Sequence, residues 1–261
     1  MNAGKPVEYL DLLRDVLRDY APPNGAFDPS GHWIHQYRLY TLVNARKLTL
    51  AKPRAGGTLR IERVPQAAGG AILHVDYEKT TEYAGSHEIR ATLVCAGDEL
   101  STPVKWNSTY TCAAPAHPLN MSMELSESGV AGDRSISIQR GREHQKLLLH
   151  AAYTANWSLF DAVQRMARTG GPPRRFTQLD AGDAPKANQV LAYYRSAELK
   201  ERWPGAPDLR VHGFLQVGDG ISPQVFWVDD RGELLFLISG LDAFVLDTNA
   251  SSAQRPNGGR T

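Results

Sequence analysis

Cysteine is nearly missing from this chain, with only Cys95 and Cys112 among 261 residues. A disulfide framework is therefore not what holds it together, and a chain of this length buries enough surface to need none. No run approaches the ~20 apolar residues of a membrane span, so no transmembrane segment is expected. Charge of one sign is missing too. Twenty-nine basic residues face 28 acidic ones, a formal net charge of +1, so the chain carries no polyanion-seeking field and nucleic acid is not an expected partner. The eight histidines show no His-x-His, His-x-x-Glu-His or paired-cysteine spacing, which leaves no basis for a metal site. There is no Gly-x-Ser-x-Gly elbow. GVAGD and QVGDG hold glycine and aspartate, but neither leads a strand into a helix as a phosphate-cradling loop does. No cofactor is expected.

What the chain does have is strands. The stretch from Arg210 to Asp247 reads as three successive β-runs, RVHGFLQV, QVFWVDD and ELLFLISG, and a final LDAFVLD. They are short, rich in Val, Leu, Phe and Trp, and cut by Gly, Pro and Asp-Asp-Arg-Gly turns. From Trp33 onward the same period of two recurs. Tyr37, Leu39, Thr41 and Val43 alternate with Arg38, Tyr40 and Leu42, and Leu59 and Ile61 with Arg60 and Glu62. Leu73, Val75 and Tyr77 follow, then Ile89, Ala91, Leu93 and Cys95. Val104, Trp106, Ser108 and Tyr110 form one face of the next run, and Met121, Met123 and Leu125 begin another. Short turns between alternating runs predict sequential antiparallel pairing.

Two helices interrupt the pattern. Pro6 to Tyr20 places Leu10, Leu13, Val16, Leu17 and Tyr20 at helical spacing, and APPNG ends it. In TANWSLFDAVQRMARTGG the stripe is Trp157, Phe160, Val163 and Met166, with Thr154 or Asn156 as cap and Gly170-Gly171 as stop. The expected organisation is one mainly β domain over residues 1–247: a helix within 1–22, a meander over 33–151, an inserted helix at 154–168, strands over 174–247, then a flexible tail at 248–261. The fold class is a curved antiparallel sheet, an incompletely closed β-barrel with helices in or across its mouth.

Cys95 and Cys112 end consecutive strands around the turn AGDELS. A hairpin of that length separates them by ~30 Å, beyond the ~7 Å limit for a bridge. The start, MNAGKPVEYLDLL, lacks a basic segment followed by an apolar one. That leaves a cytoplasmic protein, or an exported one, periplasmic or secreted, with its leader replaced by an initiator Met. The β-rich composition and the polar tail SSAQRPNGGRT favour the second.

Candidate chemistry is sparse. His144 follows Arg142-Glu143 in an expected turn and is expected to be solvated, while His74, His150 and His212 lie in strand patterns, the usual setting of structural histidines. Asp229-Asp230 reads as hairpin chemistry. Asp219 in GDGISP does so too, although Gly218 and Gly220 would let a backbone approach a ligand closely. Aromatic residues on strands, Trp106, Tyr110, Tyr193, Tyr194, Phe226 and Trp227, suit apolar chains or sugar rings and equally suit a barrel core.

The order of helix, long meander, inserted helix and final strands, with NWSLFDAVQRM ahead of HGFLQVGDGISPQVFWVDDRGELLFLISGLDAFVLD, resembles the lipoprotein-carrier (LolA/LppX-like) half-barrel family and exported bacterial proteins of the same layout, over roughly residues 33–247. The resemblance implies an unclosed sheet plugged by helices that holds a lipid-like ligand, with no catalytic set to carry over. The leading expectation is an exported, non-catalytic binding or carrier module for an amphipathic or carbohydrate-like ligand, with Trp106, Tyr110, Tyr193, Tyr194 and Trp227 in contact with it. The rival is a polysaccharide-active lyase or hydrolase using His74, His212, Tyr194 and Asp219 as acid–base groups. A last expectation concerns QVFWVDD, which is apolar on both faces: Phe226 or Trp227 should pack on the 157–166 helix.

Overall fold

The computed structural model describes residues 9–44, 49–67, 69–81, 85–114, 121–148, 151–166, 171–180 and 183–253. Alternation builds eight strands in its first part: β1 (Trp33–Asn44), β2 (Thr49–Pro65), β3 (Ala71–Thr81), β4 (Gly85–Cys95), β5 (Pro103–Ala114), β6 (Met121–Ala131), β7 (Ser135–Arg140) and β8 (Glu143–Leu148). Seven follow: β9 (Tyr153–Ala155), β10 (Arg174–Leu179), β11 (Lys186–Glu198), β12 (Arg210–Val217), β13 (Gln224–Asp229), β14 (Leu234–Ser239) and β15 (Asp242–Leu246). The run from Arg210 is thus four strands. All fifteen form one sheet, in the order β8 to β1, then β15 down to β9. Neighbours in sequence pair antiparallel as expected, except that β8 and β9 do not pair and β9 runs parallel to β10; the two halves join where β1 pairs with β15.

The sheet is strongly curved and its ladder does not close. At the seam, side chains do what a ladder would. Thr102 Oγ1 donates to the Tyr153 carbonyl at 3.1 Å, the Tyr153 hydroxyl to the Pro103 carbonyl at 2.8 Å, and Thr154 Oγ1 to the Leu100 carbonyl at 2.7 Å. Arg140 at the end of β7 reaches the Asp183 carbonyl at 2.7 Å.

Helix α2 (Ser158–Arg165) fills the concave side. Phe160 meets Phe226, Phe244 and Tyr37 edge to face, with ring centroids 6.1, 6.0 and 5.5 Å away. Trp157, Phe160 and Val163 are buried, while Met166 is only partly so. The helix is shorter than expected because Tyr153–Ala155 is taken up as a strand. Thr154, a proposed cap, spends its hydroxyl across the seam instead, and Asn156 Oδ1 accepts from the Trp157 N–H at 2.9 Å. A buried ion pair anchors α2 further. Asp161 Oδ1 accepts from Arg63 Nε at 2.7 Å, both side chains being almost fully buried. Ser101 and Arg165 hold its other oxygen at 2.5 and 3.1 Å.

The opposite face of β12–β15 is also covered, which is why these strands are apolar on both sides. In register, Trp227 stands beside Phe236, and Phe226 beside Leu237. Trp227 and Phe236 therefore face away from α2, and Tyr20 lies on Phe236 at 5.0 Å. Tyr20 ends the N-terminal segment, where the apolar stripe forms a 3₁₀ turn (Tyr9–Leu13) running into α1 (Arg14–Leu17) in place of one continuous α-helix; the expected start at Pro6 lies outside the described residues. Leu10, Leu13 and Leu17 are fully buried. Two further helical turns, α3 (Leu199–Arg202) and α4 (Thr248–Ala253), were not expected. The second replaces the start of the presumed tail, with Asp247 Oδ1 accepting from the Asn249 and Ala250 N–H groups.

Two local expectations are corrected, those for Val104 and His144. Val104 does not share the Trp106 face: a register shift after Val94 makes it the bulged residue opposite Cys95, and it is exposed. Met123 lies in β6 as expected, with its side chain exposed. His144 lies in β8, although it is exposed as expected for a solvated group. His150 and Gly170 lie outside the described residues. Cys95 and Cys112 are both free, at opposite ends of the β4–β5 pair.

Candidate functional site

The nominated residues spread over both faces of the sheet. His74 lies on the outer face of β3, bonded to Thr92 Oγ1 at 3.2 Å, in a shallow dish of about 400 Å³ that Arg60, Glu62, Asp76 and Arg90 also border. His212 is on β12 facing inward, its Nε2 2.8 Å from Asp230 and its ring 6.5 Å from Tyr193. Tyr194 is an exposed bulge residue with its ring edge-on to Trp227 at 6.3 Å and the Arg195 guanidinium over it at 5.1 Å. Asp219 sits in the β12–β13 turn, accepting from Asn188 Nδ2 at 2.7 Å. These four do not converge on one reacting atom.

The aromatic set divides likewise. Trp227 and Phe226 are core residues. Tyr193 packs on Phe214 at 5.8 Å. Tyr110 is half-buried, its hydroxyl 2.7 Å from His87 Nδ1, and burial raises its pKa. Only Trp106 borders an internal opening, where its Nε1 donates to Glu127 at 2.9 Å and Arg140 holds the other Glu127 oxygen at 2.6 Å.

That opening belongs to a site which sequence reasoning passed over. A cleft of about 330 Å³ lies at the ends of β10–β14, within the range of small-ligand sites. Its wall includes Asn156, Gln178, Asp180, Lys186, Ser222 and Gln224. Behind it runs a directional chain of amides. Gln224 Nε2 donates to Gln216 Oε1 at 2.6 Å, Gln216 Nε2 to Gln178 Oε1 at 2.6 Å, and Gln178 Nε2 to Asp180 Oδ1 at 2.7 Å. Gln189 joins from the side, accepting from Gln216 at 3.2 Å and donating to the Asp219 carbonyl at 2.9 Å. Gln178, Gln189 and Gln216 are almost entirely buried. Buried amides are costly unless bonded, and here each is satisfied by the next.

Lys186 closes the chain with Asp180 at 2.5 Å and Asp183 at 3.2 Å. Burial pulls the Lys186 pKa down, but the hydrogen bond and charge of Asp180, joined by Asp183, leave it above the usual range. The Ala184 N–H, then Lys186, hold Asp183 below its ordinary value. The chain thus begins at Gln224 and ends at Asp180, both on the cleft wall.

Asn156 and Asp180 also border a second, smaller space, a slot of about 20 Å³ between Trp106 and Trp157, walled by Ala91, Leu93, Ala155 and Leu179. It is a narrow, mainly apolar space on the concave side, with room for one small group. Among the described residues no cluster of three His, Cys, Asp or Glu is placed to hold a metal, and no helix is long and apolar enough to cross a membrane.

No protein-family model and no curated protein sequence matches this chain. A crystal structure of a β-barrel-like protein of a domain of unknown function, DUF1849, from Brucella abortus is similar in fold: TM-score 0.53, 10% identity, covering 83% of this chain and 96% of that one. The similarity supports the barrel-like fold and is silent on the lipoprotein-carrier family.

Proposed function

We propose that this protein is a non-catalytic binding module for a small hydroxyl-rich, carbohydrate-like ligand, working in an exported setting, with the cleft at the ends of β10–β14 as its site. The observation that carries this reading is the amide chain from Gln224 through Gln216 and Gln178 to Asp180, which starts and ends on the cleft wall. Amide and carboxylate groups held in fixed orientation by such a chain present donors and acceptors at set positions, which is what recognising several hydroxyls requires. An amphipathic ligand with a long apolar chain fits less well, since α2 fills the concave side. Glu127 and Asp180, the carboxylates bordering the slot, are each tied to a cation, Arg140 and Lys186. Both are placed to offer carboxylate oxygens as hydrogen-bond acceptors.

Native mass spectrometry of protein purified from its host, followed by calorimetry against neutral oligosaccharides and lysophospholipids, tests the proposal. Binding of a neutral saccharide that Gln224→Ala weakens is the expected result. Binding of lysophospholipid alone, or of neither class, overturns it.

A further inference from the structure

The slot beside the cleft makes a narrower assignment, which rests on the carbohydrate reading. Three observations meet there. The slot is apolar on the Ala91, Leu93, Ala155 and Leu179 side and takes one small group. Trp157 lines it, and the Trp157 indole N–H is buried with no hydrogen-bond partner among the described residues. Asp180 and Asn156, bordering both slot and cleft, supply acceptors at the junction.

A buried donor without a partner is a free-energy deficit, one that a ligand carbonyl would remove. An apolar recess, a donor beside it and a carboxylate at its mouth match three parts of one group: a methyl, a carbonyl oxygen and an N–H. We infer that the slot recognises the acetamido group of an N-acetylated amino sugar, whose ring hydroxyls lie in the cleft against Gln224, Asp180 and Asn156. The methyl enters between the indoles of Trp106 and Trp157, the carbonyl accepts from Trp157 Nε1, and the amide N–H donates to Asp180. A free amine lacks both the methyl and the carbonyl, and a hydroxyl at that carbon reaches neither wall.

Calorimetry with three trisaccharides tests this: that of N-acetylglucosamine, its fully deacetylated glucosamine counterpart, and that of glucose. The acetylated sugar is expected to bind at least about tenfold more tightly than the other two, the value of one good hydrogen bond. Trp157→Phe keeps a ring in place but removes the N–H, and is expected to bring the ratio of acetylated to glucose affinity close to one. Circular dichroism and unfolding curves verify that this variant folds. Ala91→Val, which narrows the slot from the opposite wall, should lower the same ratio independently. Equal binding of glucose and N-acetylglucosamine trisaccharides to the unmodified protein overturns the acetamido assignment and leaves the carbohydrate reading standing. A ratio that survives in both variants also overturns the assignment. Failure of all three sugars to bind overturns both.

Discussion

Phe160 of α2 meets Phe226 of β13 edge to face, with ring centroids 6.1 Å apart and planes at 87°. This contact fixes the inserted helix to the concave wall. It also shows which of two adjacent aromatic residues faces inward, since Trp227 points to the other side and is fully buried there. Phe226→Ala is expected to cost ~3–5 kcal/mol, measured by urea unfolding. A change below ~1 kcal/mol would show that α2 is held by its polar contacts instead.

Those polar contacts give the second prediction. Asp161 takes Arg63 on one oxygen and Ser101 and Arg165 on the other, and Ser101 adopts φ +49° to reach it. Asp161→Ala leaves the Arg63 guanidinium buried without its counter-charge, a loss of ~3–5 kcal/mol. The double variant Arg63→Met, Asp161→Leu should recover most of that stability, because it removes the desolvated charges along with their attraction. Unfolding curves of the single and double variants decide the matter.

Gly218 is the third position. A Cβ added there would lie 2.5 Å from the Cδ, Nε2 and Oε1 atoms of Gln189, so Gly218→Ala must push the amide out of its bonds to Gln216 and the Asp219 carbonyl. The expected loss is ~1–3 kcal/mol, accompanied by weaker ligand binding in the cleft. Gly69, whose added Cβ meets nothing but whose φ is +87°, tests backbone strain alone: Gly69→Ala should lower stability without touching binding.

Alkaline pH supplies the fourth. Burial raises Tyr37 and Tyr20 well above the ordinary phenol range and pushes Cys95 up to about 12 against a weaker pull from Ser158. The folded state therefore holds protons that the unfolded chain releases at roughly pH 8.5–10. Above that range the unfolded state binds fewer protons, so stability is complete below it and declines as pH rises toward the folded values. Unfolding free energies measured from pH 7 to 11 should be level and then fall, with Cys95→Ala moving the onset upward. Thiol titration offers a companion check. Half-buried Cys112 should react in the native protein, and Cys95 only on unfolding.

The β architecture was legible because alternation is a local signal: Leu73 and Val75, or Leu59 and Ile61, declare their face wherever the strand is paired. Bulges were not. Nothing in PVKWNS marks Val104 as the extra residue, because the shift is set by how Cys95 meets Pro103 across the turn. The N-terminal helix was overread, since apolar spacing alone does not separate a 3₁₀ turn from an α-helix. The cleft was missed for a different reason. Gln178, Gln189, Gln216 and Gln224 are far apart in sequence, and each alone is an ordinary polar residue in a strand. One cue existed: Gln216 follows Phe214 by two positions, so a strand with Phe214 inward must also bury the amide. Asp161, adjacent to Phe160 within the apolar stripe, was the corresponding cue for the buried ion pair.

The pairing of β1 with β15 has a kinetic consequence. Arg38 and Asp247, joined at 2.7 Å, are 209 residues apart in the chain, whereas nearly every other ladder joins successive strands. Read along the sheet, the order is an almost unbroken meander that happens to be cut between β1 and β15 and connected between β8 and β9. Closing so long a loop before any contact repays it should limit the folding rate. A circular permutant that starts at β9 and runs through β15 into the N-terminal segment and β1 turns the most distant pairing into a near neighbour. It should refold faster than the natural order while its unfolding rate changes little.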